Sequence, residues 1–256
     1  MKAAAVLRVA TYNIHKGVRG IGPAKRLEIH GLSQAIQTLD ADLILLQEVH
    51  LFHHKHAQTF QHQQPAWPAQ GQAEFLAPKG YDSIYRSNAI TPHGEHGNAL
   101  LCRWPLADAS HKDVSHHRFE QRGLLHATLD WQGTRIHILV AHLGLIHASR
   151  LYQVQHIQRF MAEHIPPDAP VILGGDFNDW AERLDRPLQA MGLTRAEPDS
   201  KANHRRWRTF PARVPMFALD RIYTRGLNCV GGEVPRGLSW GRLSDHLPLV
   251  VELALR

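Results

Sequence analysis

The chain has 256 residues, long for one domain and short for two, so a single domain over 1–256 with a substantial core is expected. Its hydrophobic fraction of 43% and charged fraction of 20% are those of a soluble globular protein, and 29 Lys and Arg against 23 Asp and Glu leave a net charge of +6. Two cysteines, Cys102 and Cys229, exclude a disulfide framework or a CxxC metal site, and no apolar run approaches the roughly 18 residues that cross a bilayer.

The positive excess suits a polyanionic or phosphate-bearing partner, although a generically basic protein has the same balance. Met1 to Ala10 passes into a strand pattern without a long apolar segment or a small-residue cleavage site. A reducing, cytoplasmic setting is therefore expected, with no stable membrane insertion and no obligate protein partner.

In chain order, Leu7 to Tyr12 alternates as a strand and delivers Asn13-Ile14-His15-Lys16-Gly17 at its end. Leu27, Leu32, Ala35, Ile36 and Leu39 share one face of a helix predicted over Ala24–Leu39. Asp42–Val49 reads as a buried strand ending in a carboxylate, Glu48, and a buried acid without a partner is too costly to be idle. His50–Gly71 reads as a surface insertion with a short helix. Its His53, His54 and His56 could be taken for a metal site, but no carboxylate or cysteine completes a ligand set, so a solvated polar loop is expected.

Tyr81–Arg86, Gly97–Arg103 and Ala107–Val114 read as strands, and Gly123–Trp131 with Arg135–His142 as a hairpin turning near Gln132-Gly133. Ser149–His164 is an amphipathic helix with Leu151, Val154, Ile157, Phe160 and Met161 inward, stopped by Pro166-Pro167. Pro170–Leu173 is a short apolar strand closed by the pair Gly174-Gly175, and a helix follows Trp180 to about Met191. Glu197–Pro215 is an arginine-rich loop. Leu219–Tyr223, Asn228–Val234 and Pro248–Leu253 are the closing strands, and the alternation predicts a layered α/β domain.

Polar groups recur where these strands end: Asn13, Glu48, Asn98, His142, Asp176 with Asn178, Asp220 with Arg221, and Asp245-His246. The spacing of Asp176 and Asn178 would let both face a phosphate or a metal ion; alone, it is also the signature of an Asx turn. The ordered motifs TYNIHKG, LLQEV, HGNALLCR, AHLGL, GGDFNDW, LDRIY and LSDHLPLV resemble the endonuclease/exonuclease/phosphatase (DNase I-like) superfamily, over about residues 7–253. The likeness is to small bacterial members.

The resemblance implies a four-layer αββα sandwich with two central mixed β-sheets and an active site at one end. It implies a phosphoric ester hydrolase that uses Mg²⁺, or Mn²⁺ in its place. Oxygen ligands suit such a hard cation: Glu48 as the principal ligand, Asn13 beside it, and Asp245 directly or through water. His246 matches the general base and Asp220 the carboxylate that orients it. Asp176 and Asn178 match groups that position water and stabilise charge on phosphorus, and His142 one that holds a phosphate oxygen or helps the leaving group. Asn98 and Arg208 match substrate-facing positions, and Arg103 one that supports Asn98.

Abasic-site members of the superfamily tend to carry lysine directly after the LQET-type glutamate, where this chain has Val49 and His50. Secreted DNase-like members rely on disulfides. The LQEV spelling is shared with branches that cleave lipid headgroup phosphodiesters and branches that repair tyrosyl–DNA adducts. The expected reaction is therefore phosphodiester hydrolysis, on DNA or RNA or on a lipid or small molecule. The alternatives are a phosphomonoesterase on the same scaffold and a non-catalytic nucleic-acid-binding protein.

Overall fold

A computed structural model describes residues 5–20, 22–197 and 207–256; part of the predicted arginine-rich loop, 198–206, lies outside them. Strands β1 (Leu7–Asn13), β2 (Leu43–His53), β3 (Asp82–Thr91), β4 (Gly94–Cys102), β11 (Leu227–Glu233) and β12 (Leu249–Leu255) form one sheet, in the order β11-β12-β1-β2-β4-β3. Strands β5 (Ala107–Asp113), β6 (Gly123–Trp131), β7 (Thr134–His142), β8 (Val171–Asp176), β9 (Thr194–Arg195) and β10 (Asp220–Arg225) form the other, in the order β9-β10-β8-β7-β6-β5. Both sheets are mixed: β1 runs parallel to β2 and antiparallel to β12, and β8 parallel to β7 and antiparallel to β10.

Apolar residues cover both faces of the central strands, which is why those strands read as continuous hydrophobic runs. Leu7, Leu45, Leu100, Ile138, Ile172 and Ile222 belong to the core between the sheets. On the far side of the first sheet, α1 (Ile29–Thr38) and α3 (Gln72–Leu76) bury Ile29, Leu32, Ile36 and Leu76. On the far side of the second, α4 (His147–His164) and α5 (Asp185–Gln189) bury Val154, Ile157, Phe160 and Leu188. Each such fully buried side chain contributes roughly 1.5–3 kcal/mol. The result is the expected helix–sheet–sheet–helix sandwich.

The hairpin turns at Gln132 and Gly133, both in the left-handed region at φ 54° and 76°, as a tight two-residue turn requires. Other expectations need correction. The pair Gly174-Gly175 does not close β8 but lies inside it. A side chain on Gly174 would meet Leu45 of the facing sheet at 2.8 Å, and one on Gly175 the carbonyl oxygen of Ala141, so glycine lets the backbones close up here. Leu151 is 38% exposed rather than inward. The helix after Trp180 shrinks to α5, and α1 begins at Ile29.

The segment after Glu48 departs most. β2 continues to His53, and α2 (His54–Phe60) follows directly, burying His56 and Phe60. His50 is 3% and His56 7% exposed, so the solvated loop expected here is instead partly packed.

Candidate active site

Register explains how the site assembles. In the second sheet, Asp176 at the end of β8 stands directly beside His142 on β7 and Asp220 on β10. In the first, Asn13 ends β1 opposite Gln47, and Glu48 sits in an irregularity of the β2–β4 ladder with φ 56°. Ser244-Asp245-His246, between α6 (Trp240–Leu243) and β12, closes the ring, with Ser244 Oγ donating to the Asn13 carbonyl at 2.7 Å. A cleft of about 320 Å³ is lined by Asn13, Glu48, His142, Asp176, Asn178, Asp245 and His246. A larger cavity of about 560 Å³, beside Arg213, Arg236 and Arg242, is lined by none of these groups.

A line of hydrogen bonds and one longer charged contact runs through the middle. Thr209 Oγ1 donates to Asp220 Oδ2, the same oxygen lies 2.7 Å from His246 Nδ1, and His246 Nε2 lies 3.7 Å from Asp176 Oδ2. A carboxylate accepts only, so His246 carries its proton on Nδ1, and Nε2 is the nitrogen turned towards Asp176. Burial opposes charge on His246, yet Asp220 and Asp176 outweigh it and push the imidazole up to about 10. Burial pushes the Asp176 carboxyl up to about 6, with Asp220 adding to the effect and His246 opposing it. Asp176 also takes the Asn13 amide at 3.0 Å and, through Oδ1, the backbone N–H of Asn178 at 2.9 Å. The Asx turn is thus present and holds the carboxylate in place. His142 Nε2 is 3.6 Å from Asp176, and burial keeps this imidazole well below its ordinary value, hence neutral.

Glu48 is the second pole. Burial alone would raise its carboxyl, but the charges of Lys16 and His15 and the Asn13 amide outweigh this and hold it ionised, below the usual range. Its Oε1 takes the Asn13 amide at 3.3 Å; its Oε2 is buried without a hydrogen bond, 3.3 Å from the Lys16 ammonium. Asp245 pairs with His15 at 3.2 Å, and this bond to His15 holds it below the usual range against its burial.

Residues 10–246 match the profile of the Endonuclease/Exonuclease/phosphatase family. The chain belongs to this family. The uncharacterized protein YbhP of Escherichia coli strain K12 is 36% identical to it over 252 residues, 97% of this chain and 96% of that one. Among solved structures, an endonuclease/exonuclease/phosphatase from Bacteroides vulgatus superposes with a TM-score of 0.71 at 19% identity, over 98% of this chain and all of that one (100%). The mannosyl-6-phosphatase Bt3783 of Bacteroides thetaiotaomicron superposes with a TM-score of 0.67 at 20% identity, over 97% of this chain and 100% of that one.

Within this family frame, two expected substrate-facing residues sit elsewhere. Asn98 is fully buried, and its amide donates to the Gly123 and Val140 carbonyls of the other sheet, tying the sheets together beneath the cleft. Arg208 is half-buried and is not among the cleft-lining residues; its neighbours Thr209 and Phe210 are the ones engaged, the Phe210 ring 4.9 Å from that of His246. Arg103 pairs at the surface with Asp40 and Asp42, both at 2.8 Å, rather than with Asn98.

Conversely, His15, Lys16, His96 and Arg122 line the cleft without having been singled out. His15 and Lys16 reach it through left-handed backbone, φ 44° and 62°. Their place directly after Asn13 was the signal available in the sequence. Below the cleft, Arg221 is fully buried, with Nη1 3.0 Å from Asp179 Oδ2 and Nη2 donating to the Asp179 carbonyl at 2.7 Å, which pins the Asn178-Asp179 turn.

Proposed function

We propose that this protein is a metal-dependent phosphodiesterase, hydrolysing its substrate by in-line attack of a water activated by His246. The observation that carries this reading is the Asp220–His246 pair, whose Nδ1–Oδ2 contact of 2.7 Å keeps a proton on Nδ1, so that Nε2 is the nitrogen that takes the proton of water once the imidazole is neutral. Asp176 and Asn178 beside it would orient that water. His142, neutral by burial, can donate to a phosphate oxygen, and Lys16 and Arg122 on the cleft wall add positive charge for the phosphate.

The residues fit a hard divalent cation. Glu48 offers an ionised carboxylate with one oxygen free of hydrogen bonds and Asp245 a second carboxylate, while the Asn13 amide, its oxygen held by the His15 N–H, orients Glu48 and Asp176. Mg²⁺ held there would draw charge from the phosphate and disfavour the imidazolium form of the neighbouring base. A net charge of +6 supports a polyanionic substrate such as DNA or RNA.

The cations lining the cleft also suit a dianionic monoester, and a phosphatase shares the scaffold, so monoester hydrolysis is the second reading. The test is Mg²⁺-dependent hydrolysis of a chromogenic phosphodiester, its matching monoester, plasmid DNA, an end-blocked oligonucleotide and a phospholipid. Chelator-sensitive diester cleavage that falls on the order of 10²–10⁴-fold in His246→Ala is the expected result. Cleavage of the monoester alone would replace the reading with the second, and tight diester binding without turnover would replace it with a binding role.

A further inference from the structure

Beside the cleft lies a cavity of about 300 Å³ that shares His15, Lys16 and His96 with it; His50, His53 and His56 line it together with Lys25 and Thr91. These three histidines recur every third residue, two at the end of β2 and one in the first turn of α2. One ligand nitrogen from each lies within 4.8 Å of the others. The ring centroids are 4.7 Å apart for His50–His53, 3.9 Å for His53–His56 and 5.7 Å for His50–His56.

We propose that His50, His53 and His56 form a second metal site, for a divalent transition ion of the zinc class, separate from the oxygen donors around Glu48. The hydrogen bonding favours it. His50 Nδ1 donates to the Glu95 carbonyl on the adjacent β4 at 2.8 Å, which puts the ring's only free lone pair on Nε2. That Nε2 is buried without a partner, and so is His56 Nδ1, on residues 3% and 7% exposed. A backbone carbonyl on one nitrogen and an unpartnered second nitrogen is the arrangement that prepares imidazole to ligate. Two buried ring nitrogens without partners carry a desolvation cost that a bound cation would remove.

Imidazoles select Zn²⁺, Ni²⁺ or Cu²⁺ over Mg²⁺, which keeps to oxygen. Three protein nitrogens leave a tetrahedral ion one open position, towards the cavity. His53 supplies the third nitrogen. Its Nδ1 accepts the His56 backbone N–H at 3.1 Å, so ligation through that atom exchanges a helix cap for a metal bond. Lys16 and Lys25 on the cavity wall oppose a bare cation and favour an anionic group in its open position.

The test is Zn²⁺ and Co²⁺ binding to the full chain by equilibrium dialysis, with the visible spectrum of Co²⁺ as a geometry probe. It uses wild type, Glu48→Gln, His53→Gln, His50→Gln and, as a control on the same segment, the exposed His54→Gln. One ion per chain is expected in wild type, Glu48→Gln and His54→Gln, with a tetrahedral Co²⁺ spectrum. About tenfold or greater weakening is expected in His53→Gln, and loss in His50→Gln. Zn²⁺ should raise the thermal midpoint of wild type more than that of His53→Gln, whose cooperative transition also shows that the variant folds. Absence of a stoichiometric ion in wild type, loss in Glu48→Gln, or unchanged affinity in His53→Gln and His50→Gln would overturn the proposal. None of these readouts depends on hydrolysis.

Discussion

His246 and His50 are both buried, 5% and 3% exposed, yet they stand at opposite protonation states. Asp220 and Asp176 overcome burial and push His246 up to about 10, whereas burial, unopposed by any carboxylate, pushes His50 down to about 3. Burial sets the cost of charge in both places, and the neighbours decide whether it is met. Carboxylates surround the first imidazole, which makes that region a proton relay beside hard oxygen donors. A carbonyl and two further imidazoles surround the second, which leaves neutral nitrogen lone pairs for a softer ion. The two regions share a cleft wall and have different chemistry.

The sharpest way to break this contrast is Asp220→Asn. The amide can keep the packing but presents no ionised acceptor to His246 Nδ1, so the tautomer and the charge of the relay are lost. Turnover should fall on the order of 10²–10⁴-fold, with Co²⁺ binding at the histidine cluster unchanged. Steady-state kinetics alongside dialysis checks both; near-normal kcat would take the orienting role from Asp220.

A second change acts on the floor of the acidic region. Asp179→Ala takes from the fully buried Arg221 guanidinium the carboxylate 3.0 Å away and leaves it Asp185, 3.7 Å from Nη1. Removing one partner of such a pair costs about 3–5 kcal/mol, to be read from the denaturant midpoint. A cost under about 1 kcal/mol would mean that Arg221 finds another partner.

The acidic region was the more legible of the two in the sequence, and the reason is physical. Glu48 and Asp176 stand at the exit of an apolar run and Asp220 at the entry of one, and a carboxylate at such a place needs a partner, so the pattern itself points to a site. His15 and Lys16 were not separable from an ordinary turn, because left-handed backbone at non-glycine residues leaves no mark in composition. Asn98 sits among strand residues that pattern as a site motif, but the facing sheet supplies two carbonyls that only packing brings near. The histidine cluster was visible as a spacing and misread as solvated. Val49 and Phe52 suit a strand, so the run of β2 to His53 was open to a local reading, but the carbonyl that orients His50 belongs to a strand 45 positions later, which only the fold brings near.

A buried histidine pair elsewhere separates burial from metal binding. His126 Nε2 and His137 Nδ1 lie 3.1 Å apart across β6 and β7, so these two nitrogens satisfy each other, and Ser110 Oγ lies 3.3 Å from His126 Nδ1. Burial, with His137 adding to it, pushes His126 down to about 4, and Asp108 opposes this only weakly. Its value in the folded state is therefore below the unfolded value of about 6.5, so between these limits the unfolded chain binds more protons. Stability should be fully present above about pH 6.5 and fall as the pH drops towards 4, by at most about 1.4 kcal/mol per pH unit for this group. Chemical denaturation at pH 7 and pH 5 should show a smaller difference for His126→Gln than for wild type. Zn²⁺ should leave that difference between the two proteins unchanged, because the ion binds elsewhere. An equal pH response in His126→Gln would place the titration on other histidines, and a Zn²⁺ effect lost with His126 would move the soft site from α2 to the second sheet.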